Sequence, residues 1–362
     1  MEDSHFPPLQ HFETLFKYNT EFSADSVEWC PHDPNKNIFV CGNYQLGEPS
    51  NDNTTNRLGR ILLFALSENH LTLCQSINTE AILDQKWCPN QINGTSLLGV
   101  VNAKRALQIY RLENSNLILM TEFKFSDSVS ETLILSLDWS TAKYESQQPH
   151  ITCSDSNGNI HLLQLQNDKL VLQQSWHGHS FQAWIAGFYY WDPNIVFSGG
   201  DDAVFLKFDK RIGDSPVAKN REHDAGVTSF HSNKSNEFIV VSGSYDENIR
   251  LWDIRNIKNS LNLIKMPGPL WRLKWDPFIQ KYLLAASMLG GVHIIKVLPN
   301  KMEIVDSYYE HKNIAYGADW SFLEPDALET FHGEGNVLVG SCSFYDQLVC
   351  ISKTYCDLES NY

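Results

Sequence analysis

The sequence predicts an all-β fold, a seven-bladed β-propeller whose ring is closed by a strand from the N-terminal end. Short apolar runs rich in β-branched and aromatic residues alternate with Gly-, Ser- and Asp-containing turns along the whole chain. Helical periodicity of any length is missing. One pattern, an aromatic that closes a strand, then a turn, an apolar run, an Asp turn and a further apolar run, recurs seven times at 42 to 58 residues.

The fullest repeat contains Val240–Arg255, VVSGSYDENIRLWDIR. An apolar run leads into a Ser-Gly-Ser-Tyr-Asp turn, and an alternating run with Ile249, Leu251 and Trp252 leaves it, as an antiparallel hairpin requires. His223 lies 23 residues ahead of the turn Asp246, with Ser242 and Trp252 between and beyond. That order resembles one blade of a WD-repeat propeller.

The seven aromatics that close first strands are Trp29, Trp87, Trp139, Phe188, Phe230, Trp275 and Trp320. Second strands are expected at Ile38–Cys41, Leu97–Val101, His150–Cys153, Ile195–Ser198, Phe238–Ser242, Leu283–Ser287 and Val337–Ser341. Third strands follow at Ile61–Leu66, Leu107–Leu112, Ile160–Leu163, Phe205–Phe208, Ile249–Trp252, Val292–Ile295 and Gln347–Ile351. The seventh repeat runs out of chain before an outermost strand, and the alternating Phe12, Leu15, Phe16 and Tyr18 can supply it, removing the open edge. One domain is therefore expected over residues 1–362, with the propeller at about 10–352 and a tail at 353–362. Gly47–Leu58 reads as a solvated loop on the turn face, or as a lid over the channel; Tyr144–Pro149 and Leu323–Asn336 are loops of the opposite face.

A 42% hydrophobic, 12% aromatic composition supports a large core, and a net charge of −15 disfavours nucleic acid or an anionic membrane as the main partner. Neither a secretory signal nor an apolar run long enough to span a membrane is visible. The eight cysteines lie within apolar strand patterns and form no C-x-x-C, so they read as reduced, buried thiols. The sequons at Asn53 and Asn93 then read as chance matches. These features suit a cytoplasmic protein, expected to be monomeric and to need no metal or cofactor.

Histidines and aspartates at blade positions are structural first. Loop His, strand Ser, turn Asp and strand Trp form a buried hydrogen-bonded set, filled by His223, Ser242, Asp246 and Trp252 in blade five. Blade four has His179, Ser198, Asp202 and Phe208; blade seven keeps His311 and Asp346 but has Cys342 where the Ser is expected. Asp201, beside Asp202, is surplus to that scheme. No G-x-S-x-G elbow, phosphate-binding Gly loop or H-E-x-x-H occurs.

Laying the blades over one another gives a second pattern. Four residues before the closing aromatic stand Trp184, Trp271 and Tyr316, with Gly226 in blade five and Asp25 in blade one. Before the turn Asp stand Tyr245, Tyr345 and Asp201. All should face the turn-side mouth of the channel, either as a plug or as an aromatic, acid-rimmed cage for a quaternary ammonium, worth roughly 0.5–2 kcal/mol per cation–π contact.

The flanking words are more specific: SADSVEWCP, CGNYQL, FQAWIAGF, WDPNIVFSGGDD, HDAGVTS, SGSYDENIRLWDIR, LWRLKWDP, AYGADWS and CSFYD. These words, from blades one and four to seven, resemble the diphthine methyl ester esterase family of diphthamide biosynthesis, whose members also carry the name diphthine methyltransferase, and the resemblance is read across all seven blades. The resemblance implies hydrolysis of a methyl ester on a modified histidine of elongation factor 2, beside a trimethylammonio group that the cage would fit. It carries over no hydrolytic residue. On residue type, His179 beside Asp201 and His223 beside Tyr245 are the expected bases, Tyr245 or Tyr345 the oxyanion donors, and Ser244 or Ser343 nucleophiles less favoured than water. Substrate contacts are expected from Trp184, Trp271, Tyr316, Tyr345 and Asp25. The competing classes are a non-catalytic WD-repeat platform and a trafficking or ubiquitin-ligase adaptor. A methyltransferase is disfavoured, because no Gly-rich loop on a βα unit is present for S-adenosylmethionine.

Overall fold

A computed structural model of the chain describes residues 12–48, 56–126, 132–140, 143 and 147–358. Among these, the strands form seven four-stranded antiparallel sheets, and the one helical element is a 3-10 turn at Pro325–Leu328. The innermost strands are Ser23–Trp29, Ile82–Trp87, Ile134–Trp139, Ala183–Tyr189, Val227–Ser232, Arg272–Trp275 and Ala315–Trp320. Each expected second and third strand is present within a strand of its blade, although Phe238 and Ser287 fall just outside theirs and Gln347 just before Leu348–Thr354.

The ring closes as expected. Glu13–Asn19 pairs antiparallel with Leu348–Thr354, Thr14 facing Ser352 and Asn19 facing Leu348, and so becomes the outermost strand of blade seven. Leu15, Phe16 and Tyr18 give it a grip, packing on a cluster that includes Trp29, Phe39 and Phe64. The expected tail boundary at 352 is too early. Lys353 and Thr354 belong to the strand and are buried, and Cys356 is buried beyond it. Lys353 Nζ donates to the carbonyls of Leu328, Phe331 and Gly333, tying down the 323–336 loop.

The closing aromatics are buried because they are seams. Trp87, Trp139, Trp275 and Trp320 each donate Nε1–H to a carbonyl of the preceding blade, those of Glu28, Lys86, His231 and Lys274 at 2.9–3.2 Å. Side chains on the channel return the link: Asp319 accepts the Trp29 N–H at 2.7 Å, Asp138 that of Phe188 at 2.8 Å, and His231 Nδ1 that of Trp275 at 2.9 Å.

Blade five is the exception to the aromatic rule. Ser229 faces Gly243 and Ser232 faces Val240, as Arg272 faces Ala286 and Trp275 faces Leu283 in blade six. Ser232, not Phe230, therefore occupies the closing position. Phe230 sits two residues earlier and fills the space left by Gly187, where a Cβ would stand 2.7 Å from its ring. Thr228, not Gly226, is consequently the blade-five residue at the channel mouth.

Blade six lacks the histidine set and is pinned instead by Asp276. Its Oδ1 accepts the N–H groups of Phe278, Ile279 and Gln280, and its Oδ2 those of Lys281 and Tyr282, at 2.7–3.0 Å. Asp276→Ala would leave five donors in a half-buried turn without their acceptor. We expect a loss of about 3 kcal/mol, read as a lower urea midpoint at unchanged m-value.

Candidate active site

The turn-side mouth is where the innermost strands begin, and most of them begin with a bulge. The pairing skips one residue at Asp25, Leu83, Leu135, Trp184, Thr228 and Tyr316. A bulge leaves that residue outside the ladder and re-aims its side chain. Trp271, just ahead of Arg272–Trp275, takes the equivalent place in blade six.

Three of the expected residues form one aromatic surface. The Trp184 and Trp271 rings meet edge to face at 5.5 Å, and Trp271 stacks on Tyr316 at 4.6 Å. Tyr316 continues into Phe344 at 5.2 Å, and Phe344 into Tyr345 at 5.0 Å and Tyr44 at 5.8 Å. Trp184, Trp271 and Tyr316 are half-buried, while Tyr245 and Tyr345 stand exposed at the rim. Asp201 accepts Trp184 Nε1–H at 3.1 Å, so it orients the ring. Gly226 makes room for this pair, since a Cβ there would lie 2.9 Å from Asp201 Oδ1.

Beside the rings lie Asp25 and Arg272. Asp25 is 4% exposed, and its Oδ1 has no hydrogen-bond partner among the described residues; nor has Trp271 Nε1. Burial pushes the Asp25 carboxyl up to about 8, against the pull of the Arg272 guanidinium and helped by the charge of Asp84. The Arg272 guanidinium lies 5.8 Å from the Trp271 ring centre, with Nη2 3.4 Å from Asp84 Oδ1. Burial, then the Asp25 charge, holds the Tyr316 hydroxyl well above the ordinary phenol range, so it stays a donor.

Comparison with known proteins supplies the family. The repeat described as WD domain, G-beta repeat matches residues 214–253. The human protein named diphthine methyltransferase is 39% identical over 333 residues, 84% of this chain and 74% of its own length. The diphthine methyltransferase homolog of Dictyostelium discoideum is 35% identical over 372 residues, 91% of this chain and 96% of its own. The chain belongs to the diphthine methyltransferase family. A chain in the crystal structure of the mitotic checkpoint complex matches 98% of this one with a TM-score of 0.69 at 12% identity, which shows the fold alone.

In this member of the diphthine methyltransferase family the two expected histidine bases are not available at the turn-side mouth. His179 bonds Asp202 at 2.9 Å and Ser198 at 2.8 Å, and its side chain is fully enclosed. His223 bonds Asp246 at 2.9 Å and Ser242 at 2.7 Å, and Trp252 Nε1 also donates to Ser242. Both ring nitrogens are used in each case, so the assignment of His179 and His223 as bases is corrected to a structural one. Ser244 and Ser343 are likewise buried and spent, on Ala225 O and on Asp346. In blade seven the missing serine is present one residue earlier than expected: His311 Nε2 bonds Ser341 Oγ at 2.8 Å, and Cys342 faces Ala24.

The residues that sequence reasoning missed are Arg272, Asp84 and Phe344. Each had a signal: Arg272 and Phe344 are sequence neighbours of Trp271 and Tyr345, and Asp84 is two residues before Lys86-Trp87. The opposite mouth holds a cavity of about 250 Å³, lined among others by Glu28, Asp138, His231 and Lys274. Arg272 also lines it, and Lys274 lies between Glu28 at 2.6 Å and Asp319 at 3.0 Å. Most of the Gly47–Leu58 loop, including any lid, and residues 144–146 lie outside the described residues.

Proposed function

We propose that the chain is a carboxylic ester hydrolase of diphthamide biosynthesis, removing methanol from the methyl ester of methylated diphthine on elongation factor 2. The observation that carries this reading is the unbroken surface of Trp184, Trp271 and Tyr316 beside the buried Asp25 carboxyl, whose Oδ1 has no donor among the described residues. A quaternary ammonium cannot donate a hydrogen bond, so aromatic faces and a nearby carboxylate are the groups that can hold it. The ester sits on the carbon next to that cation, so a cation on the rings brings the ester to the acid side of the pit. Relatives named for diphthine support the substrate, and the exposed Tyr245 and Tyr345 give a protein surface something to rest on. The protein works as a cytoplasmic monomer in this reading and requires no cofactor.

The test is direct. Purified protein is incubated with elongation factor 2 carrying the methylated ester, and methanol and the mass of the modified peptide are followed. We expect stoichiometric methanol and conversion of ester to acid without other components. Binding of elongation factor 2 with no methanol would instead make this a platform for another enzyme.

A further inference from the structure

We infer that Asp25 is the general base of this site, and that Arg272 and the Tyr316 hydroxyl receive the negative charge of the tetrahedral intermediate. The inference rests on the esterase reading above.

Geometry singles out Asp25. Of the residues at the turn-side starts of the innermost strands (Asp25, Leu83, Leu135, Trp184, Thr228, Trp271 and Tyr316), it is the one carboxylate. Buried carboxylates elsewhere are committed: Asp84 to Lys86 and the Leu137 N–H, Asp138 to Phe188, Asp319 to Trp29 and Lys274, Asp276 to its turn. Asp25 alone among these keeps an oxygen with no donor, an arrangement that costs stability and is retained at functional sites. Charged and titratable groups facing it are Arg272 from blade six, Asp84 from blade two, Tyr316 from blade seven and Cys41 from its own blade.

Arg272 is held loosely enough to act as a donor. Its contacts to Asp84 Oδ1 at 3.4 Å and to the Trp271 carbonyl at 3.5 Å are long, which leaves guanidinium N–H groups for an oxyanion. In the reaction Asp25 takes a proton from water as the oxygen bonds to the ester carbon. The carbonyl electron pair moves onto oxygen, facing Arg272 and Tyr316. Collapse breaks the bond to methoxide, which takes the proton from Asp25 and leaves as methanol. The acid formed releases its own proton to solvent.

Burial sets the pH dependence. Asp25 must be ionised to act, and in the free protein it ionises at about 8. The acid limb of kcat/KM should therefore fall near pH 8, because that parameter reports the free enzyme. A bound cation favours the carboxylate, so the limb of kcat should lie at lower pH.

The experiment compares wild type with Asp25→Asn, using glycine betaine methyl ester as substrate and tetramethylammonium as a binding probe read by tryptophan fluorescence. Rates are taken above the uncatalysed rate. We expect kcat to fall at least about 100-fold, tetramethylammonium still to bind at the rings but more weakly, and Asp25→Glu to restore part of the rate. An Asp25→Asn protein that keeps its kcat while wild type is active would overturn the assignment. Should that variant not fold, a wild-type kcat/KM that is flat from about pH 6 to 9 overturns it equally. A wild type inert on both this ester and modified elongation factor 2 removes the esterase reading, and this inference with it.

Discussion

Replacing both Trp184 and Trp271 by leucine will reduce kcat/KM for the methyl ester by roughly two orders of magnitude and leave the fold intact. The magnitude follows from two lost cation–π contacts, together about 3 kcal/mol, at about 1.4 kcal/mol per tenfold. Leucine keeps the pit apolar, so hydrophobic contact is largely retained and the quadrupole of the ring is what is removed. The rings stand at the mouth, half-buried, and are not among the closing aromatics that bond the preceding blade, so the thermal midpoint should move by only a few degrees. Steady-state methanol release, with circular dichroism on the same samples, reads both effects. A double variant that turns over like wild type would mean that the rings merely fill the mouth. Trp184 can be tested separately through Asp201→Asn, which keeps the acceptor for Trp184 Nε1 but removes the charge.

The largest stability effect is expected at Asp246. Its carboxylate accepts from His223 at 2.9 Å, from Arg250 Nη1 at 2.7 Å, and from the N–H groups of Asp224 and Asn248. Arg250 is 5% exposed and His223 3%, so Asp246→Ala would strand a buried guanidinium and an imidazole. Breaking one side of such a network costs roughly 3–5 kcal/mol. Although burial pushes the Asp246 carboxyl up, the hydrogen bonds from His223, Asp224 and Asn248 hold it far below the usual range. Its stabilisation is thus complete above the unfolded value of about 3.9 and is lost only as pH falls through the much lower folded value.

His223 behaves oppositely to a salt-bridged histidine. Burial lowers its imidazole below the ordinary 6.5, with Asp246 opposing. The unfolded chain therefore binds the proton more readily, and stability falls as pH drops from about 6.5 toward the folded value. Without Asp246 nothing comparable holds the imidazolium, so the variant should lose stability more steeply than wild type between about pH 7 and 5. Urea titrations at several pH values would show it, and parallel slopes would contradict this account of blade five.

Much of this architecture is legible in one sequence, because a blade writes its own punctuation. Alternating apolar runs and Asp turns locate the strands, and Phe12 to Tyr18 betray a strand that lacks a partner nearby. The rings of Trp184, Trp271 and Tyr316 come together because register alone places them. What escapes is what register hides. In Val227–Ser232 the aromatic stands two residues early, and a bulge, invisible in composition, moves Thr228 to the mouth. Cys342 sits beside the serine that His311 uses, and residue type cannot choose between neighbours pointing to opposite sides. His179 and His223 read as structural by blade position and as candidate bases by type, and the count of bonds on each nitrogen decides for structure. Asp25 is legible as an acid at the rim; that one oxygen lacks a donor is a fact of packing.

The pairing of Glu13–Asn19 with Leu348–Thr354 has a consequence for biogenesis. Glu13–Asn19 must wait, unmatched, until the more than 300 residues that separate it from Leu348–Thr354 have been made. Until then the nascent chain is an arc with sticky apolar flanks at either end, a state in which aggregation competes with maturation. Cells carrying this protein would accordingly feel chaperone shortage at this step sooner than they would for a helical enzyme of similar size.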